Sequence, residues 1–159
     1  MTQTDLIGWP DRVQVRQYMT AEPQTLEITQ SLLDAALLLR RSHLRHIPIV
    51  KNGHLVGILT DRDVARSAPS RLTPLPEEEY NRVFEGTQVE KVMTKEPFST
   101  TPDSPLGEAV VLLYTKRLGC LPVLEEGKLV GIITVTDMLR ALHDLIGAIS
   151  SLPGSPQTS

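Results

Sequence analysis

The feature that most constrains this chain is a seven-residue stretch that occurs twice. Gly57-Ile58-Leu59-Thr60-Asp61-Arg62-Asp63 returns as Gly131-Ile132-Ile133-Thr134-Val135-Thr136-Asp137, at an offset of 74. From Met19 to the end of the second copy the two halves align on that offset without a gap, and Met19/Met93, Pro23/Pro97, Leu32/Leu106, Ala35/Ala109, Pro48/Pro122, Gly53/Gly127 and Arg66/Arg140 match outright. One unit of about fifty residues buries its sheet face poorly, so two are expected to pack together about a pseudo-twofold axis.

Each half has the same internal grammar. Val15 to Thr20 reads as a helical turn ending before Pro23, and Thr25 to Ile28 as a brief extended piece. A helix is predicted from Ser31 to about Leu44, with apolar positions so dense that both sides should be largely buried. Ile47–Val50 and Leu55–Leu59 are strands joined at Asn52-Gly53, a pair that suits a turn with two positive φ angles. Thr60 to Ser67 closes the unit as a helix, giving the order β-α-β-β-α and an α/β (α+β) fold class. The second half repeats this with helix Leu106–Leu118, strands Leu121–Leu124 and Leu129–Ile133 about Glu126-Gly127, and a longer last helix from Thr136 to about Ile149. The expected organisation is an arm over 1–14, a first repeat over 15–68, a linker with one short acidic-start helix over 69–88, a second repeat over 89–149, and a disordered Ser/Pro/Gly-rich tail over 150–159. In the arm, Trp9 is expected to pack on the body or on a second subunit.

Composition narrows the function. A formal net charge of −3 argues against a general nucleic-acid surface. A lone cysteine, Cys120, excludes an intramolecular disulfide framework. With no secretory leader and no apolar run of the roughly 18 residues a membrane span needs, a soluble cytoplasmic protein is expected.

The repeated stretch has two compatible readings. In the first, Thr60-x-x-Asp63 and Thr134-x-x-Asp137 are capping boxes: the threonine hydroxyl caps the helix and the acid reaches back. In the second, the strand glycine lets another group approach, the helix N–H groups and threonine hydroxyl suit a phosphate oxygen, and an ionised aspartate can accept both hydrogen bonds of a ribose diol. That makes a nucleoside-monophosphate site, and its recurrence at matched positions strengthens it.

The span from about Val15 to Leu142 resembles a tandem pair of cystathionine-β-synthase-type (CBS) domains, a Bateman module. The likeness rests on the doubled M-T-x-x-P opening, the strand Ile47-Pro48-Ile49-Val50 with its partner Leu121-Pro122-Val123, and the G-h-h-T-x-x-D closure (h, apolar). Within the family the chain is most similar to the small acetoin-utilisation-type proteins. The resemblance implies two clefts that take AMP, ADP, ATP or S-adenosylmethionine as regulatory ligands, none of them an obligatory cofactor. It implies Thr60, Asp63 and Ile58 at one site, with Lys95 and Leu118–Gly119 lining it; Arg62 either touches phosphate there or is a solvated residue on the first helical turn. Thr134, Asp137 and Ile132 would anchor the other, lined by Ala21 and Leu44–Arg45. Arg45 and His46 match a basic position that contacts phosphate in relatives, whereas Gly119 and Cys120 do not, so the two sites are expected to be unequal, the one lined by the first repeat being better suited to a multiply charged phosphate tail. A homodimer is implied as well, and the apolar last helix is an independent reason to expect one.

Other candidates are weaker. His43 and His46 lack a third ligand nearby, so no metal site is expected. Cys120 precedes a buried strand and reads as a small core residue. No nucleophile–base–acid set is visible, so the chain is not expected to be an enzyme; breakdown of acetoin would rest on the family label alone. Two functions stand: a nucleotide sensor that signals to an unknown effector protein, or a structural dimer with vestigial pockets. No nucleic-acid or membrane partner is expected.

Overall fold

The computed structural model describes residues 12–68 and 76–151. In chain order these form a 3-10 turn (Val15–Gln17), β1 (Thr20–Ala21), β2 (Leu26–Glu27), α1 (Leu32–Ser42), β3 (His46–Lys51), β4 (His54–Thr60), α2 (Asp61–Arg66) and α3 (Glu77–Gly86). A second 3-10 turn (Val89–Lys91) follows, then β5 (Thr94–Lys95), α4 (Leu106–Lys116), β6 (Cys120–Glu125), β7 (Lys128–Thr134) and α5 (Val135–Ser150). This is the mixed α/β fold of two repeats expected from the sequence. The Trp9 expectation, most of the arm and tail, and the 69–75 part of the linker fall outside the described residues.

Two compact units are present, and neither is a continuous piece of chain. The first-repeat unit comprises Pro23–Phe98 with Glu126–Leu129; the second-repeat unit comprises residues up to Glu22, Ser99–Glu125 and the chain from Val130 onward. In the first-repeat unit the sheet order is β2-β3-β4-β5, with β5 antiparallel to β4 through Gly57↔Lys95 and Ile58↔Thr94. In the second-repeat unit it is β1-β7-β6, with Thr20↔Ile132 and Ala21↔Gly131. Each M-T-x-x-P opening therefore supplies an edge strand to the sheet of the other repeat. The counterpart of β2 in the second-repeat unit is reduced to one parallel bridge, Thr100↔Val123.

The steric reason for this exchange lies at the glycine of each repeated stretch. A Cβ built on Gly57 would stand 2.4 Å from Met93 Sδ and 3.0 Å from the Thr94 carbonyl oxygen. On Gly131 it would stand 2.6 Å from Met19 Sδ and 3.2 Å from the Thr20 carbonyl oxygen. The group that approaches the strand is thus a methionine thioether of the same fold, which accounts for the glycine without a ligand.

Backbone exceptions repeat on the same offset. Glu22 and Glu96 (both φ 48°), His43 (52°) and Arg117 (55°), and Asn52 (51°) and Glu126 (48°) all lie in the left-handed region, and Gly53 and Gly127 both sit at φ 79°. Positive φ at both central residues closes each hairpin in the sense that matches strand twist. The cores repeat likewise: Leu32/Leu106, Ala35/Ala109, Ile47/Leu121, Ile49/Val123 and Leu59/Ile133 are buried in matched pairs. Val15 packs in the second-repeat core, while its partner Val89 packs in the first-repeat core. Contrary to expectation, α1 is not buried on both sides, because Leu37 is 55% exposed. The dense apolar run wraps past the core-facing stripe of Leu32, Ala35 and Leu39.

Candidate functional site

Both T-x-x-D stretches close as capping boxes. At the start of α2, Asp63 N donates to Thr60 Oγ1 (3.2 Å), while Thr60 N and Thr60 Oγ1 donate to Asp63 Oδ2 at 2.9 and 2.6 Å. At the start of α5 the same three bonds are 3.4, 2.8 and 2.8 Å. The strand-to-helix junction is tied in the same way to the preceding loop: Asp61 N donates to Arg45 O and Val135 N to Gly119 O, each at 3.1 Å. These bonds satisfy N–H groups at each helix start.

The carboxylates differ in what remains. Asp137 Oδ1 faces Arg140 Nη2 at 3.4 Å, and Arg140 also donates to the carbonyl of Tyr18 and lies over the Tyr18 ring, 5.4 Å from its centroid. The matched residues Asp63 and Arg66 form no such pair, and Asp63 Oδ1 has no partner among the described residues. Sequence reasoning saw Arg66/Arg140 only as a match. That one arginine turns onto its carboxylate and the other does not is a tertiary event.

The first-repeat unit brings together eight of the predicted residues: Ile58, Thr60, Arg62, Asp63, Lys95, Leu44, Arg45 and His46. His46 pairs with Thr60 across β3 and β4, and Gly57 pairs with Lys95. Arg45, Arg62 and Lys95 are exposed, Ile58 is buried, and Leu44 leans on the core. Lys95 Nζ lies 4.0 Å from Glu90, a loose surface pair. The His46 pKa is lowered, chiefly by burial, with the Asp61 carboxylate opposing and the Arg45 and Arg62 guanidinium groups adding to the shift. This end of the unit thus holds two arginines and a histidine beside one capping box.

The second-repeat unit holds Thr134, Asp137, Ile132, Ala21, Leu118 and Gly119. Ala21 pairs with Gly131, Ile132 is buried, and Gly119 is exposed. Leu118 lines a concavity of about 670 Å³ together with Val110, Tyr114, Arg117, Val135 and Met138, which neither Thr134 nor Asp137 lines. Cys120 occupies the His46 position and burial pushes its thiol up to about 12, which makes it a core residue at neutral pH. No group of three metal-ligating side chains occurs among the described residues, and no described helix is long and apolar enough to cross a membrane.

Comparison with known proteins agrees with this geometry. The CBS domain family pattern matches residues 15–70 and 89–144. A CBS domain-containing protein of Dictyostelium discoideum is 32% identical over 133 residues, covering 82% of this chain and 92% of its own. A Vibrio cholerae protein assigned to acetoin utilization (AcuB) superposes with a TM-score of 0.72 at 33% identity, over 89% of this chain and 98% of its own. The CBS domain pair of MJ0100, solved with 5-methylthioadenosine and S-adenosyl-L-methionine, gives a TM-score of 0.69 at 25% identity over 83% of this chain and 97% of its own. CBSX2, solved with AMP, gives 0.70 at 25% identity over 82% and 97%. With both repeats matched and their motifs placed at equivalent junctions, the chain belongs to the CBS domain family as a tandem pair.

Proposed function

We propose that this chain is a regulatory module that binds adenosyl ligands at its two T-x-x-D junctions and passes their occupancy, as a homodimer, to a separate effector protein. The carrying observation is the acceptor left on the first box: Asp63 spends Oδ2 on the cap and keeps Oδ1 for a ribose hydroxyl. The ligands named for the related CBS pairs, AMP, 5-methylthioadenosine and S-adenosyl-L-methionine, share the adenosyl group and support that class. Arg45 and His46, which the resemblance assigns to the Thr134 and Asp137 site, are taken here with the first box instead, because Asp61 N donates to Arg45 O and His46 pairs with Thr60; with Arg62 they favour a phosphate-bearing ligand near Thr60 and Asp63. At the second box Asp137 is already paired with Arg140, and no basic residue stands at the Gly119 and Cys120 positions, so an uncharged or sulfonium 5′ group suits it better. Transmission would follow from a ligand stabilising one arrangement of the protein over another.

A second reading has its own observation. All three bonds of each box form within the protein, as a purely structural cap would require. Calorimetric titration with AMP, ADP, ATP and S-adenosylmethionine separates the two. The sensor reading expects binding tighter than millimolar that Asp63→Ala or Asp137→Ala abolishes at its own site. Failure of all four ligands to bind, with no rise in melting temperature, would leave a structural dimer with vestigial pockets.

A further inference from the structure

Arg140 ties the second capping box to the opening of its own unit. It follows Asp137 by three positions on α5, and its Nη2 faces Asp137 Oδ1 at 3.4 Å while also donating to the Tyr18 carbonyl. Its guanidinium lies over the Tyr18 ring, 5.4 Å from the centroid. The ring is held at its far end too, because Tyr18 Oη donates to Asp144 Oδ2 at 3.1 Å, and Asp144 stands one turn beyond Arg140 on the same helix. Two residues after Tyr18, Thr20 pairs with Ile132 in β7. One guanidinium thus bridges the box and the chain that leads into β1.

The first-repeat unit keeps the arginine but not what holds it. Arg66 has the same place after Asp63, yet the residue matching Tyr18 is Val92, which packs against the first-repeat core and offers neither a ring face nor a hydroxyl. Arg66 is also the last residue of α2, whereas α5 continues past Arg140 to the aspartate that fixes Tyr18. The consequence falls on the carboxylates. Asp137 has Oδ2 on the cap and Oδ1 against a cation, and an acceptor already facing a guanidinium is a poorer one for a ribose hydroxyl. The hold is light. A separation of 3.4 Å is long for a charge-assisted bond, and the Arg140 side chain is 56% exposed, so a ligand can displace it.

We propose that Arg140 is a specificity-determining latch of the second junction: it occupies the Asp137 oxygen that a ribose diol would take, and a ligand enters there by displacing it. The first junction has no such latch, so Arg140 sets which of the two fills first. This rests on the adenosyl binding proposed above and adds the residue that makes the second site the weaker one. It also fixes an unusual sign for the salt dependence. Salt screens an exposed ion pair, so an uncharged adenosyl ligand binds the second junction more tightly as salt is raised.

The test is calorimetric titration of 5-methylthioadenosine, which is uncharged at neutral pH, into the full chain carrying Asp63→Ala so that the second junction alone binds. Adding Arg140→Gln to that parent is expected to tighten binding about three- to tenfold, the range for losing one exposed ion pair and one exposed cation–π contact. Arg66→Gln is expected to change nothing, and Arg140→Lys, which keeps the charge without the fork, to fall between. Raising potassium chloride from about 0.05 to about 0.5 M should tighten binding to the parent and leave the Arg140→Gln protein unmoved. Should Arg140→Gln melt well below the parent, the lysine variant and the salt series decide the matter. Binding to the Arg140→Gln protein where the parent binds nothing would be the latch at full strength. Equal or weaker binding to it, with a parent that binds, would overturn the latch and leave the adenosyl reading standing. No binding to either would overturn the latch together with the second-junction reading.

Discussion

The two units share one plan and depart from it on opposite sides. The first-repeat unit covers its helical layer with a helix of its own, α3, whose Phe84 is buried and stacks on Tyr80 at 4.7 Å between ring centroids. Among the described residues the second-repeat unit has no such cover, and its closing helix runs to sixteen residues. At the capping box the contrast reverses. The first-repeat unit leaves an acceptor and gathers basic side chains, while the second-repeat unit closes Asp137 with Arg140 and puts a buried thiol where the other has a histidine. Repetition with a shared cap has preserved the fold of each half and left the surroundings free to differ. The non-equivalence is thus carried partly by residues that the repeat does not share, His46 against Cys120, and partly by a shared arginine, Arg66 and Arg140, that pairs with its aspartate in one half only.

The largest expected effect breaks the comparison at α3. Phe84→Ala removes a buried aromatic with no counterpart in the second-repeat unit, and truncations of this kind cost about 3–5 kcal/mol. Urea unfolding is expected to show that loss, and hydrogen exchange should rise first in α1, β3 and β4. A uniform rise through β6 and β7 would mean that α3 does not stabilise one unit preferentially.

A smaller effect sharpens the exchange of edge strands. Gly57→Ala is expected to destabilise by about 1–3 kcal/mol through the Met93 contact. A double-mutant cycle should find coupling with Met93→Ala and simple additivity with Met19→Ala, because Met19 faces Gly131 instead. Coupling to Met19 would show that each opening serves its own repeat.

The smallest effect is the titration at matched positions 46 and 120. Burial lowers the His46 pKa from its usual 6.5, so the unfolded chain takes up the proton first. The stability His46 contributes is whole above pH 6.5 and is lost as pH falls from there through its folded value. Melting temperature should therefore drop more steeply below pH 6.5 in the wild type than in His46→Gln. Cys120, held up to about 12, should resist iodoacetamide at about pH 8 in the folded protein and react once urea unfolds it. Rapid alkylation of the native thiol would contradict its burial.

What the sequence determined by itself was local. Asn52-Gly53 and Glu126-Gly127 required their turns, and Thr60-x-x-Asp63 and Thr134-x-x-Asp137 required their caps, because those interactions link residues one to three positions apart. The offset of 74 carried the same reasoning to the second half, including cores that match pair by pair. The strand glycines were legible as points of close approach, but not the methionines that approach them. An edge strand chooses its partner by the free ladder and the room beside it, neither of which is written in periodicity. The same holds for Arg140: its pairing with Asp137 is a local one, three positions apart, but its contact with Tyr18 forms only after residues 122 positions apart are brought together. Leu37 and the outer face of α5 look like core in a count of apolar residues. Only the placement of neighbouring elements decides which apolar face of a helix is covered and which is left exposed.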